Sequence, residues 1–269
     1  MFYSLPESSI RQLTTLSLSL SLSLSITKPV NKTISLFYSK PPKLTPEPPP
    51  KMVLNSIFWQ EKEGTAIFIS GLRNCRVDVV HRKPINDIRS SPWPGLEQLG
   101  FSNADAWLPV RGEPGAEHEK YVFYGASFGR ITLDPPTRKV GGPWKITDKI
   151  TCLGKAGFDT IDAALNVPGK EHEVYFFRGT KYAKAHLKDD RLTWGPSSIA
   201  QGWPELSKAG FDAIDTVLEV PGTSNQVLFF RGKKSVTAEV VSGGDERIVK
   251  GPDNILTDWN GAFDWLPKR

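Results

Sequence analysis

Apolar residues along this chain fall in short runs that alternate with polar ones and are broken repeatedly by glycine or proline. Ile161-Asp162-Ala163-Ala164-Leu165 is one such run, and Pro168-Gly169 supplies a turn after it. Glu173–Arg178 follows, rich in β-branched and aromatic side chains. Gly179 then turns the chain into Tyr182–Leu187, where alternation resumes. Period-two alternation bounded by turn residues predicts short β-strands joined by tight hairpins. Gly195-Pro196 breaks the chain ahead of a last short element, which gives three or four strands to the unit.

The unit recurs. Residues 157–179 read GFDTIDAALNVPGKEHEVYFFRG and residues 210–232 read GFDAIDTVLEVPGTSNQVLFFRG, a displacement of 53 from 157 to 210. Residues 100–125 form a third copy with a longer turn, and a degenerate fourth runs from Leu54 through AIFISG at 66–71. Lys83-Pro84, Gly142-Pro143, Gly195-Pro196 and Gly251-Pro252 fall at matching places, and Trp93-Pro94-Gly95-Leu96 and Trp203-Pro204-Glu205-Leu206 close two units. Each copy cannot bury its apolar face alone, so the copies must pack on one another. Three or four short strands repeated radially describe an all-β fold, a four-bladed β-propeller with blades at about 53–98, 99–154, 155–207 and 208–269. A solenoid of the same unit would leave its end faces bare, and no polar capping unit is visible.

Composition agrees with many turns: 23 glycines and 22 prolines in 269 residues. The net charge of +5 misleads, because residues 1–51 hold six basic residues against Glu7 and Glu47, a net of +4, leaving +1 on 52–269. A nucleic-acid binder carries its basic excess on the folded body, so nucleic acid is not an expected partner. There is no apolar run long enough to span a membrane, so no membrane partner is expected either. Two cysteines, Cys75 and Cys152, make no disulfide framework and fit a reducing compartment as small apolar thiols. A cytoplasmic monomer or homodimer is expected. The alternating LSLSLSLSLSI at 16–26 has the form of a translated dinucleotide repeat, which makes Met52 the expected start of the folded protein. A Ser-rich transit peptide leading to a plastid is the rival reading of 1–51, and either way that segment is expected to be disordered.

The run Ile161-Asp162-Ala163-Ala164, a gap, and Val174-Tyr175-Phe176-Phe177-Arg178-Gly179 ending at Tyr182, together with Trp-Pro-x-Leu before Gly-Phe-Asp, resembles the hemopexin repeat. The resemblance covers 52–269 in four copies. Within that family the chain is most similar to the plant albumin-2 group, whose first blade opens with a strand that Leu54-Asn55-Ser56-Ile57 resembles. That likeness implies a binding protein of a seed-storage or stress-related kind rather than an enzyme, with haem or a polyamine such as spermine as ligand and a metal ion in the central channel. A protein–protein scaffold and an enzyme recruited onto the propeller remain the alternatives.

Aligning the copies puts Asp105, Asp162 and Asp215 at one position of the innermost strand, with Asn55 as the fourth. A ring of oxygen-bearing groups about an axis suits a hard cation, calcium or sodium, and its field suits a polyamine. The competing role for the same groups is to cap backbone amides where strands converge. Gly125-Ala126-Ser127-Phe128-Gly129 has the form of a hydrolase nucleophile elbow but aligns with hairpins at Gly179 and Gly232, so Ser127 belongs in a β-turn. His118 and His172 sit in matching Glu-His-Glu turns as a product of duplication, with haem ligation the less favoured role; His81 and His186 follow no pattern. Trp93 and Trp203 are expected between blades, whereas Trp59, Trp107 and Trp265 lie off-register and are expected to be freer to meet a ligand.

Overall fold

Short alternating strands with tight turns can satisfy their backbone only by pairing in sequence order, and the computed structural model of the chain shows this pairing. It describes residues 54–60, 64–85, 88, 93–133, 139–241 and 246–266. The expectations for 1–51 fall outside the described residues.

Four antiparallel sheets follow one another, each a four-stranded meander in chain order. The first holds β1 (Ser56–Gln60), β2 (Thr65–Ser70), β3 (Arg73–Asp78) and β4 (Lys83–Pro84), and the second β5 (Ala106–Pro109), β6 (Glu119–Tyr124), β7 (Ser127–Thr132) and β8 (Val140–Lys145). The third holds β9 (Ala163–Asn166), β10 (Glu173–Arg178), β11 (Lys181–His186) and β12 (Arg191–Ser198), and the fourth β13 (Thr216–Glu219), β14 (Gln226–Arg231), β15 (Lys234–Val240) and β16 (Glu246–Asn254). The first strands of the four sheets meet in a ring: β1 touches β5 and β13, and β9 touches β5 and β13. Cyclic contact between innermost strands, with each sheet running outward from it, is the four-bladed propeller expected from the repeat.

The core is divided among four wedges, one in each gap between neighbouring sheets. Side chains alternate across each inner strand, so Ala164 faces the second sheet while Ala163 and Leu165 face the fourth. A linker plugs every wedge. Trp93 and Leu96, ahead of a 3-10 turn at Glu97–Leu99, fill the first. The second takes Ile150 and Leu153 from the short helices α1 (Ile146–Lys149) and α2 (Thr151–Lys155). The third takes Trp203 and Leu206 around α3 (Ile199–Gly202) and α4 (Pro204–Lys208). The last is filled from the C-terminal segment, where Trp259, Phe263 and Trp265 pack against Leu54 and Phe68 of the first sheet and Phe230 of the fourth. Trp265 is therefore not free for a ligand: it is buried, and its indole N–H donates to the Ala262 carbonyl.

The glycine-proline steps mark a second repeated device. At Gly142, Gly195 and Gly251 the outer strand bulges against its neighbour, and each glycine sits at positive φ before a proline in cis linkage. A Cβ at Gly195 would come 2.9 Å from the Tyr182 carbonyl oxygen, so the bulge closes only around glycine.

Candidate functional site

An innermost strand pairs on one side only, so its free edge turns inward, and four such edges surround the axis of the ring. At the entry end of these strands stand Asn55, Asp105, Asp162 and Asp215, all half-buried and all in equivalent places. Each does the same local work. Asn55 Oδ1 accepts from the Gly71 amide at 2.7 Å, and Asp105 Oδ2 accepts from Gly125 at 2.8 Å. Asp162 Oδ2 accepts from Gly179 at 2.7 Å and Asp215 Oδ2 from Gly232 at 2.6 Å. Their own amides donate to Ile69, Phe123, Phe177 and Phe230, which extends the ladder by one rung. The ring positions are thus caps on the hairpin that joins the second and third strands of each blade. Among the described residues, no three His, Cys, Asp or Glu side chains gather where a metal ion could be held.

Opposite that end the channel widens into a cavity of about 900 Å³ bounded by all four inner strands. Trp59 and Trp107 form one part of its wall, with Ala164, Leu165, Val217 and Leu218 across from them. Trp107, buried against Phe58 at 4.4 Å between centroids, also lines this space. The charged groups around it are Glu113, Glu117, Glu171 and Glu219 against Arg111 and Lys120, four carboxylates to two cations. Amide donors at Glu117 itself and at Gly115 hold the Glu117 carboxyl below its ordinary value.

A polar bridge crosses the cavity mouth. Arg111, in the turn after β5, pairs with Glu219 at the end of β13. Asn166, buried at the end of β9, donates from Nδ2 to the Pro109 carbonyl at 3.1 Å and to Glu219 Oε1 at 3.3 Å. Three blades are tied together there by groups that the repeat pattern did not single out. The signal was present as divergence: at one equivalent inner-strand position the copies carry Trp59, Pro109, Asn166 and Glu219, while the residues around them stay alike.

The remaining candidates resolve as structure. Ser127 opens β7 and pairs across its hairpin with Tyr124, so no strand-to-helix elbow exists there. His118 and His172 accept the same backbone bond, from Leu133 and Leu187, which establishes their equivalence. His172 has a neighbour that the sequence reading passed over, His186, with ring centroids 5.6 Å apart; Nδ1 of His186 lies 3.1 Å from Asp189. Both cysteines are buried thiols outside any disulfide, and burial first, then Asp190, pushes the Cys152 thiol up to about 12.

The hemopexin family model matches residues 161–208, which span the third sheet and the linker after it. Albumin-2 of Lathyrus sativus is 28% identical over 156 residues, covering 56% of this chain and 68% of that protein. A seed protein from Dolichos described as a 2S albumin superposes with a TM-score of 0.69 at 23% identity, covering 80% of this chain and 99% of the other. A plant lectin from Cicer arietinum described as having two metal binding sites gives 0.63 at 24% identity, covering 77% and 95%. These relatives are seed albumins and a lectin of one fold, not enzymes. This chain shares that four-bladed hemopexin-type fold and, in sequence, is similar to the albumin-2 proteins of plants.

Proposed function

We propose that this plant albumin-2-like propeller is a binding protein whose axial cavity takes an elongated organic cation, a polyamine such as spermine. The observation that carries the reading is the pairing of two tryptophans in the wall with a carboxylate excess of two (four acids less two bases) around the same cavity. Ammonium groups are attracted to indole faces by about 0.5–2 kcal/mol each and to carboxylates across partly screened distances. Alternating methylene and ammonium groups would then lie against alternating apolar and acidic wall. The same charge disfavours haem, whose propionates are anionic. A second ligand, calcium or sodium, would sit apart on the axis among the free edges of the inner strands, where backbone carbonyls are oxygen ligands of the kind such ions prefer. The Cicer lectin of this fold is described as having metal sites, in keeping with that second ligand.

Titration calorimetry of the full chain with spermine tests the reading. Binding is expected to weaken roughly tenfold in the Glu117→Gln, Glu171→Gln double variant, since about 1.4 kcal/mol accompanies each tenfold change, and to weaken further as salt is raised. Equal affinity in wild type and double variant, at low and high salt alike, would remove the cavity as the polyamine site.

A further inference from the structure

The four wedges are built alike, and the plug of one of them lacks its tryptophan. Trp93, Trp203 and Trp259 fill the first, third and fourth. In the third, Trp203 is boxed by Tyr175 at 5.0 Å, Phe177 at 5.6 Å and Tyr182 at 6.0 Å between centroids. Counting eight residues from the glycine of each Gly-Pro step, Gly195 leads to Trp203 and Gly251 to Trp259, but Gly142 leads to Ile150. The second wedge nevertheless keeps the box: Tyr121, Phe123 and Phe128 stand where Tyr175, Phe177 and Tyr182 stand in the next copy. An isoleucine inside an aromatic box built for an indole leaves space, and a cavity of about 290 Å³ lies there, lined by Ile150, those three rings and Trp144. An apolar cavity of roughly 150 Å³ already admits benzene, so this one has room for a fused bicyclic ring.

Its rim carries two basic side chains. Arg130 and Lys149 are the charged residues lining it. Arg130 is already paired with Glu113 and Glu119, which leaves the exposed Lys149 as the group that can meet an incoming anion. Lysine is sterically allowed at this place because its partner ring is Phe128. In the third wedge the equivalent residue is Gly202, where any Cβ would collide with the Tyr182 hydroxyl.

We propose that the wedge between the second and third blades is a ligand site for a planar aromatic of indole size carrying an acidic substituent, its ring taking the place that tryptophan holds in the other wedges and its acid meeting Lys149. The site is separate from the axial cavity, and its ligand is of opposite charge.

Indole and indole-3-propionate, titrated into the full chain by calorimetry, are the probes. Both are expected to bind wild type, the acid more tightly. Ile150→Trp restores the protein's own plug and is expected to weaken both probes more than tenfold while the melting temperature holds or rises. Lys149→Glu is expected to weaken indole-3-propionate at least threefold and to leave indole unchanged. No binding of either probe to wild type at millimolar concentration, or equal affinity in Ile150→Trp, would overturn the site. Equal affinity of the acid for Lys149→Glu would overturn the role of the lysine. Should Ile150→Trp fail to fold, nuclear Overhauser contacts between indole and the Ile150 methyls in wild type decide, and their absence counts against the site.

Discussion

At the scale of the residue, the ring of Asn55, Asp105, Asp162 and Asp215 separates two roles that a sequence cannot tell apart. Charge at these positions would matter to an axial cation, whereas capping needs only an acceptor oxygen. The first blade makes the point itself, since Asn55 caps Gly71 with a neutral amide at the same distance that Asp162 keeps from Gly179. Asp162→Asn should therefore leave the chemical-denaturation midpoint nearly unchanged, while Asp162→Ala should cost about 1 kcal/mol, the net worth of a typical hydrogen bond. An equal loss in both variants would show that the charge, not the acceptor, is what the fold uses. Blade alignment alone was enough to pick out the four positions. Their hairpin partners were not legible, because the bond runs from a side chain to a glycine amide 16 to 20 residues away.

At the scale of the element, the outer strand of each complete blade depends on its glycine bulge. Gly195 combines positive φ with a Cβ direction blocked by the Tyr182 carbonyl, so Gly195→Ala should cost about 1–3 kcal/mol of backbone strain. Gly169, also at positive φ but with open space around it, is the control; Gly169→Asn should change the melt far less. Strand order, turn positions and blade count were all readable from alternation and from the repeat. The plugs were only half readable. Trp93 and Trp203 stood out by their Trp-Pro-x-Leu setting, but Trp259 is followed by Asn260-Gly261-Ala262 and no Gly-Phe-Asp, so only its spacing from Gly251 marks it. Trp265 was misjudged for a related reason. In the last wedge Trp259, Phe263 and Trp265 of the C-terminal segment fill the space together, in an order that the other linkers do not share.

At the scale of the whole molecule, closure between the fourth and first sheets rests on side chains. Each sheet takes its four strands from one continuous stretch, and among the described residues no strand is exchanged across the seam. Trp259, with no measurable exposure, sits at that seam and donates its indole N–H to Ser235 Oγ at 2.9 Å. Trp259→Ala should cost about 3–5 kcal/mol through the cavity it leaves, read as a melting temperature lower by about 10 °C. A drop no larger than that of an exposed substitution such as Trp194→Ala would mean that the seam is held by something else. The axial cavity, bounded by all four blades, is legible only at this scale, because no single copy of the repeat contains it.

Because every seam is closed by side chains packed between the sheets and none by a shared strand, none is privileged as the place where the polypeptide must be cut. The order in which the blades are strung is then a matter of genetic history, while the circle they form is a matter of physics. A gene that had duplicated from a different starting blade would encode the same object with its ends moved by a quarter turn.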